Sequence, residues 1–150
     1  MDTDKPLPAL AVRAGPWWLA VPTRCIHALH GYLRHPPPTP LPDSPPWLTG
    51  LVEGPAGLTP VIHLARLGGA AEERPDRRHR LLVCAAHPPL ALRLEEARGV
   101  VRLRRGPTEV AEPPPRLAPY LETGYRLDGR PWWVLSPERL ARLPGLSRQT

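Results

Sequence analysis

Between Trp47 and Leu67 the sequence reads WLTGLVEGPAGLTPVIHLARL, and no other stretch constrains the fold as much. Leu51 and Val52 form one short apolar run and Leu58 to Leu64 a second, with Glu53-Gly54-Pro55-Ala56-Gly57 between them. Apolar runs with β-branched residues, divided by a turn bearing Gly and Pro, read as strand, tight turn, strand. A hairpin is expected here, and it carries no catalytic group.

The flanking chain repeats the pattern. ALAVRAGPWWLAVP, from Ala9, reads as two strands broken at Ala14-Gly15-Pro16, and Arg80 to Ala86 as a buried strand. Val101 and Leu103 alternate with Arg102 and Arg104, as on a half-buried strand. Asp128-Gly129 marks a second hairpin. Ser136 as N-cap and Pro137 at the first helical position start one short helix, with Leu140 and Leu143 on its inner face. Helix content is therefore expected to stay under about a fifth, against a globular average of roughly 30 to 35%.

Twenty-four prolines and 12 glycines bring the chain near the composition of low-complexity sequence. Five Trp and many Leu and Val argue against disorder, and the prolines fall mostly between apolar runs. His35-Pro36-Pro37-Pro38-Thr39-Pro40-Leu41-Pro42 reads as an extended crossover feeding the hairpin, with a docking peptide for an aromatic groove as the alternative. A chain of 150 residues suits one domain that buries roughly 70% of its unfolded surface. The start of the sequence has Asp2 and Asp4 instead of a basic, then apolar, leader, and no run approaches the roughly 18 apolar residues of a membrane span, so a cytoplasmic protein without membrane insertion is expected.

A net charge of +6 admits an acidic partner, and a small basic β-barrel that binds nucleic acid is the alternative functional class. The arginines are scattered. The cluster Arg74, Arg77, Arg78, Arg80 reads as a solvated loop, with an anion-binding patch as its alternative. Cys25 and Cys84 belong to no Cys-x-x-Cys pair and read as reduced core residues. Cys25, His27, His30 and His35 form a run suggestive of metal, but on a strand His30 points away from Cys25 and His27, so no cofactor or metal is expected. Glu95 and Glu96 are neighbours facing opposite sides of a strand and cannot work as a catalytic pair, and Ser136 has no partner nearby in sequence. An enzyme is not expected.

The hairpin also resembles the signature of CheW-like domains, the scaffold modules of bacterial chemosensory arrays, in which Gly-Val-Ile-Asn-Leu-Arg-Gly-x-Val-x-Pro-Val-Ile-Asp-Leu is the pattern. Gly50, Leu51, Val52, Leu58, Pro60, Val61, Ile62 and Leu64 agree with it. Glu53 stands for the Asn, Pro55 for the Arg, Ala56 for the second Gly and His63 for the Asp. Ile26 takes the aliphatic place of an earlier Val-x-Glu-Ile segment. Ala91, Leu94, Glu95, Ala97 and Val100 follow the spacing of a later Gly-x-x-Val-Asp-x-Val-x-x-Val segment, with Glu95 for the Asp.

This resemblance, over about 130 residues in the right order, implies a mostly β fold of two SH3-like five-stranded barrels packed together with a short C-terminal helix. It places the first barrel at about residues 9–69, the second at about 80–135 and the closing helix at 137–143, with a flexible tail at 1–8 and another at 144–150. It implies a non-catalytic adaptor whose partners are the regulatory domain of the histidine kinase CheA, the cytoplasmic tips of chemoreceptors, and other CheW-like proteins, at membrane-associated arrays and without nucleic acid. The implied partner-binding positions are Ile26, Gly50, Val52, Glu53, Pro55, Ala91, Leu94 and Val100. Loss of the signature polar residues points to a divergent member of the ParP type.

Overall fold

The computed structural model describes residues 5–106, 112–144 and 146. Of these, 49% are in strands and 12% in helical turns, in the balance that the alternation and the punctuating prolines imply. Ten strands form two sheets. β1 (Leu7–Ala14), β2 (Trp17–Pro22), β8 (Glu96–Arg105), β9 (Leu121–Leu127) and β10 (Arg130–Leu135) close a barrel in the order β1-β2-β10-β9-β8. β3 (Ile26–Gly31), β4 (Leu48–Gly54), β5 (Gly57–His63), β6 (Arg80–Cys84) and β7 (Ala91–Leu94) make a five-stranded sheet in the order β3-β6-β7-β5-β4.

The two sheets are not successive halves of the chain, which corrects the expected division at about 9–69 and 80–135. β1 and β2 find their partners β8 to β10 at the other end of the sequence: β1 pairs with β8 from Leu7↔Leu103 to Arg13↔Glu96, and β10 meets β2 in parallel at Val134↔Ala20. Local strand signals carry no record of such distant pairings. The expected first barrel instead splits between the sheets, because the chain leaves the barrel after Pro22 and returns at Glu95. The second sheet keeps two edges, β3 and β4.

Period-two alternation explains how thin strands serve two cores. Ala9 of β1, Ala20 of β2, Leu103 of β8, Tyr125 of β9 and Val134 of β10 form a cluster with one residue from each barrel strand, and two of the five are alanine because little room is left in so small a barrel. On the opposite face of the same strands Leu10, Val12, Leu19 and Val21 join Ile62, Leu82, Leu92 and Leu94 of the sheet in one shared core. The sheet's other face carries Val52, Val61, Leu81, Val83 and Ala91.

Both expected turns form as read. Gly54 pairs with Gly57 across Pro55-Ala56, and Arg130 with Leu127 across Asp128-Gly129, whose φ angles of 49° and 77° are the left-handed pair that an Asp-Gly turn supplies. The residues after β5 make one helical turn, α1 (Leu64–Leu67), and α2 is Pro137–Leu140, shorter than the expected 137–143. Ser136 caps α2 by accepting the Arg139 N–H, while Leu140 and Leu143 are buried in the shared core. Parts of both expected tails belong to the folded structure. β1 begins at Leu7, and Leu146 is buried against the shared core; residues 1–4, 145 and 147–150 lie outside the described residues. Among the described residues no helix is long and apolar enough to cross a membrane.

The proline connector crosses the outer edge of β4 and pairs with it once. Thr39 N–H donates to Leu51 O at 2.8 Å, and Leu51 N–H returns to Thr39 O at 2.9 Å. Edge strands left bare invite foreign strands, and a proline-rich strap covers this one with little donor capacity of its own.

Candidate functional site

At the crossing from β7 to β8 the chain buries an acid. Glu95 is fully buried; its Oε1 accepts the Gly15 N–H at 2.6 Å, its Oε2 lies 2.9 Å from His63 Nε2, and its own N–H donates to Arg13 O at 2.9 Å. Four segments meet on this one residue: β1, the β1–β2 turn, the end of β5, and the loop before β6, where buried His79 places Nε2 3.9 Å from Oε2. His79 Nδ1 lies 3.1 Å from the Asp76 backbone N and 3.2 Å from Asp76 Oδ1, which turns its Nε2 to the side of Glu95. Beside it Arg93 reaches Glu72 at 2.9 Å and the Glu73 carbonyl at 3.0 Å, with its guanidinium 4.9 Å from the centre of the Tyr32 ring. Burial pushes the Glu95 carboxyl up, but hydrogen bonds from His63 and Gly15 and the charges of both histidines outweigh it and hold the group below its ordinary value.

His63 and Glu95 stand at the two positions where the CheW-like patterns carry Asp, and the fold brings them into contact. Sequence reasoning set Glu95 aside as half of an unworkable pair with Glu96 and read His63 only as a lost Asp. The missed signal was His63 within the apolar run that ends β5; Glu95, beside Glu96 and close to Arg93, carried none of its own. Sealed from solvent, the Glu95–His63 pair has no route to a substrate, and it pins the two sheets together. Burial also pushes the Cys25 and Cys84 thiols up, which leaves neither as a ready nucleophile. Among the described residues no three His, Cys, Asp or Glu side chains gather as a metal site.

Of the eight positions taken from the resemblance, Gly50, Val52, Ala91 and Leu94 are buried in the isolated chain, and Ile26 is half-buried against the shared core. Val52 and Ala91 face one core and Leu94 another, so these side chains hold the sheet and offer a partner no contact. Gly50 has φ +151°, and a side chain there would run into the Thr39 carbonyl of the strap. The close approach that this glycine permits is thus internal to the chain. Glu53, Pro55 and Val100 are exposed and line three separate hollows.

Of the three, only the hollow of Val100 is walled by tryptophans. Val100 is 60% exposed in a groove of about 540 Å³ on the closed barrel, walled by Trp18, Trp132 and Val101, with Arg98 and Arg130 at its rim. The Arg98 guanidinium lies 4.7 Å from the Trp18 ring centre and is held by Glu96 at 3.0 Å. The strand period places these rings: in each Trp-Trp pair one member, Trp17 or Trp133, turns to the shared core, so its neighbour takes the other face of the strand, where half-buried Trp132 also packs against the barrel cluster. Two such pairs in strand-like sequence were the available signal for this groove, which the sequence reading did not use beyond Val100.

The sequence profile of the CheW-like domain matches residues 8–144. The chain belongs to the CheW-like domain family. Its structure is also similar to that of the scaffolding protein TtCheW from Thermoanaerobacter tengcongensis, with a TM-score of 0.75 at 14% sequence identity, covering 93% of this chain and 95% of that one. At this identity the likeness is one of fold, and it extends the CheW-like architecture across both sheets of this chain. No curated protein matches the sequence. The CheW-like fold survives here although Glu53, Pro55, Ala56 and His63 replace its signature polar and turn residues, because the apolar positions that build the two sheets are retained.

Proposed function

We propose that this CheW-like chain is a non-catalytic adaptor of a bacterial chemosensory array, which joins the regulatory domain of the histidine kinase CheA, the cytoplasmic tips of chemoreceptors, or both, to the array. The observation that carries this reading is the groove of Trp18, Val100 and Trp132, an apolar surface with rigid aromatic walls and an arginine rim. Half-buried aromatics around an exposed aliphatic residue, with Arg beside them, match the composition of protein interfaces and their energetic centres. Membership of the CheW-like family and the scaffold role named for TtCheW support it.

The exposed hairpin tip, Glu53 to Ala56, is a second contact of this adaptor, altered from the signature by Pro55 and Glu53. Such an altered tip suits an accessory, ParP-like position better than that of the main coupling protein.

The test is a calorimetric titration of CheA regulatory domain and receptor-tip fragments into this protein. Val100→Asp, at an exposed residue, is expected to weaken binding of at least one fragment about tenfold or more with the unfolding temperature nearly unchanged, and Trp132→Ala to weaken it as much while also lowering that temperature, because Trp132 packs against the barrel cluster. Failure of both fragments to bind the unaltered protein overturns the reading.

A further inference from the structure

We propose that a second hollow, on the open sheet and away from the tryptophan groove, binds an acidic peptide segment of a protein partner. It measures about 470 Å³ and is lined by Gly31, Tyr32, Leu33, Arg34, Arg77 and Arg80. Three arginines line it from three different segments: the 3₁₀ turn Tyr32–Arg34, the loop before β6, and the first residue of β6. Arg80 is positioned by its own bonds, with Nη1 donating to Arg77 O at 2.7 Å and to His79 O at 3.1 Å. The stem of Arg34 lies over Gly31, where a Cβ would come within 3.6 Å of it.

None of the three arginines forms an ion pair with a described residue, and the nearby carboxylates are committed elsewhere. Asp76 holds Arg78 at 3.2 Å and His79 at 3.2 Å, and Glu72 holds Arg93 at 2.9 Å. Three cations around one hollow with no acid of their own are complementary to carboxylates brought from outside, which Arg takes in pairs through its planar fork.

Leu33 decides what carries those carboxylates. It is 59% exposed in the same hollow and offers an aliphatic contact that a bare anion does not use. A nucleic-acid strand is disfavoured because the one ring present, Tyr32, already has the Arg93 guanidinium on its face, whereas strand-binding grooves keep open rings for bases to stack on. An Asp- or Glu-rich segment with an aliphatic side chain among the acids matches all of these features. This site rests neither on the groove nor on the array reading.

Fluorescence anisotropy of the full chain tests it with a labelled Glu-rich peptide bearing one central leucine, the same peptide with Gln for every Glu, a labelled oligothymidine of matched charge, and inorganic phosphate as competitor. The Glu peptide is expected to bind, more weakly as salt rises, and the Gln peptide not to. Arg34→Glu and Arg77→Glu, both at exposed residues without internal ion pairs, are each expected to weaken it at least tenfold while the melting temperature holds. Val100→Asp is expected to leave it unchanged. Replacing the peptide's leucine with Gly is expected to cost a smaller but measurable factor. Peptide binding indifferent to both arginine reversals overturns the proposal, as does loss through Val100→Asp instead. Tighter binding of oligothymidine, lost in the same variants, assigns the hollow to nucleic acid and overturns it too. Full displacement by phosphate of a peptide that binds equally well without its leucine reduces the site to an anion hole, with the same consequence.

Discussion

A carboxylate removed from water survives as an ion only where fixed donors replace its hydration, and Glu95 has two, the Gly15 N–H and the His63 ring. Its folded value lies below its ordinary 4.5, so the stability it contributes is fully present above about pH 4.5 and is lost as pH falls through the folded value. Urea unfolding between pH 3 and pH 7 checks this: Glu95→Gln should be less stable than the unaltered chain at neutral pH and should lose less on acidification. His63→Leu leaves the acid buried with one donor and is expected to cost about 3 to 5 kcal/mol at pH 7, part of which returns in the His63→Leu, Glu95→Leu double variant. At the hairpin tip Pro55 replaces the signature's Arg, and with it a charge-assisted contact of about 1.5 to 3 kcal/mol, while Glu53 adds a negative charge. In a strain lacking the main coupling protein, the unaltered chain is therefore expected not to restore kinase control, and the Pro55→Arg, Glu53→Asn variant to restore more of it. Full restoration by the unaltered chain would show that these two residues do not matter.

The hairpin β4–β5 was legible as an element because its turn and its two apolar runs are local. Its neighbours in the sheet were not, since β5 pairs in parallel with β7 across the whole of α1, the following loop and β6. The connector was legible too, as an extended crossover, yet its pairing with β4 through Thr39 and Leu51 depends on how the two segments lie in space. That pairing changes the meaning of Gly50. Taken from the signature, Gly50→Trp spares folding and abolishes partner binding; with the strap on top of it, the substitution strains a positive φ and displaces Thr39. A loss of about 1 to 3 kcal/mol in stability is expected, with faster hydrogen exchange at the Leu51 amide. An unchanged unfolding curve and unchanged exchange would return Gly50 to the partner surface.

At the scale of the molecule, the barrel closes only when the first two strands meet the last three. A fragment of residues 9–69 holds β1 and β2 without β8, β9 and β10, and β3 to β5 without β6 and β7. It is expected to give a narrow, unfolded amide spectrum by NMR. Residues 23–95 contain every strand of the open sheet but expose its half of the shared core, including Ile62, Leu82, Leu92 and Leu94, so that fragment is expected to self-associate or precipitate. A dispersed, monomeric spectrum from residues 9–69 would contradict the interleaved topology.

What the sequence determined alone was whatever acts over a few residues: the alternation that makes strands, the Asp128-Gly129 and Pro55-Ala56 turns, the Ser136 cap, and an apolar framework close enough to the CheW-like pattern to place the fold. These depend on side-chain volume and on backbone preference, which a residue carries wherever it lies. Only the tertiary structure decided which strands share a sheet, that Gly50 serves the strap, that His63 and Glu95 form one buried pair, and that Trp18 and Trp132 flank Val100. Each of these is a contact between residues distant in the chain. Alternation puts a side chain on one face of its strand, but which other strand comes to lie against that face is settled by the packing of the whole core.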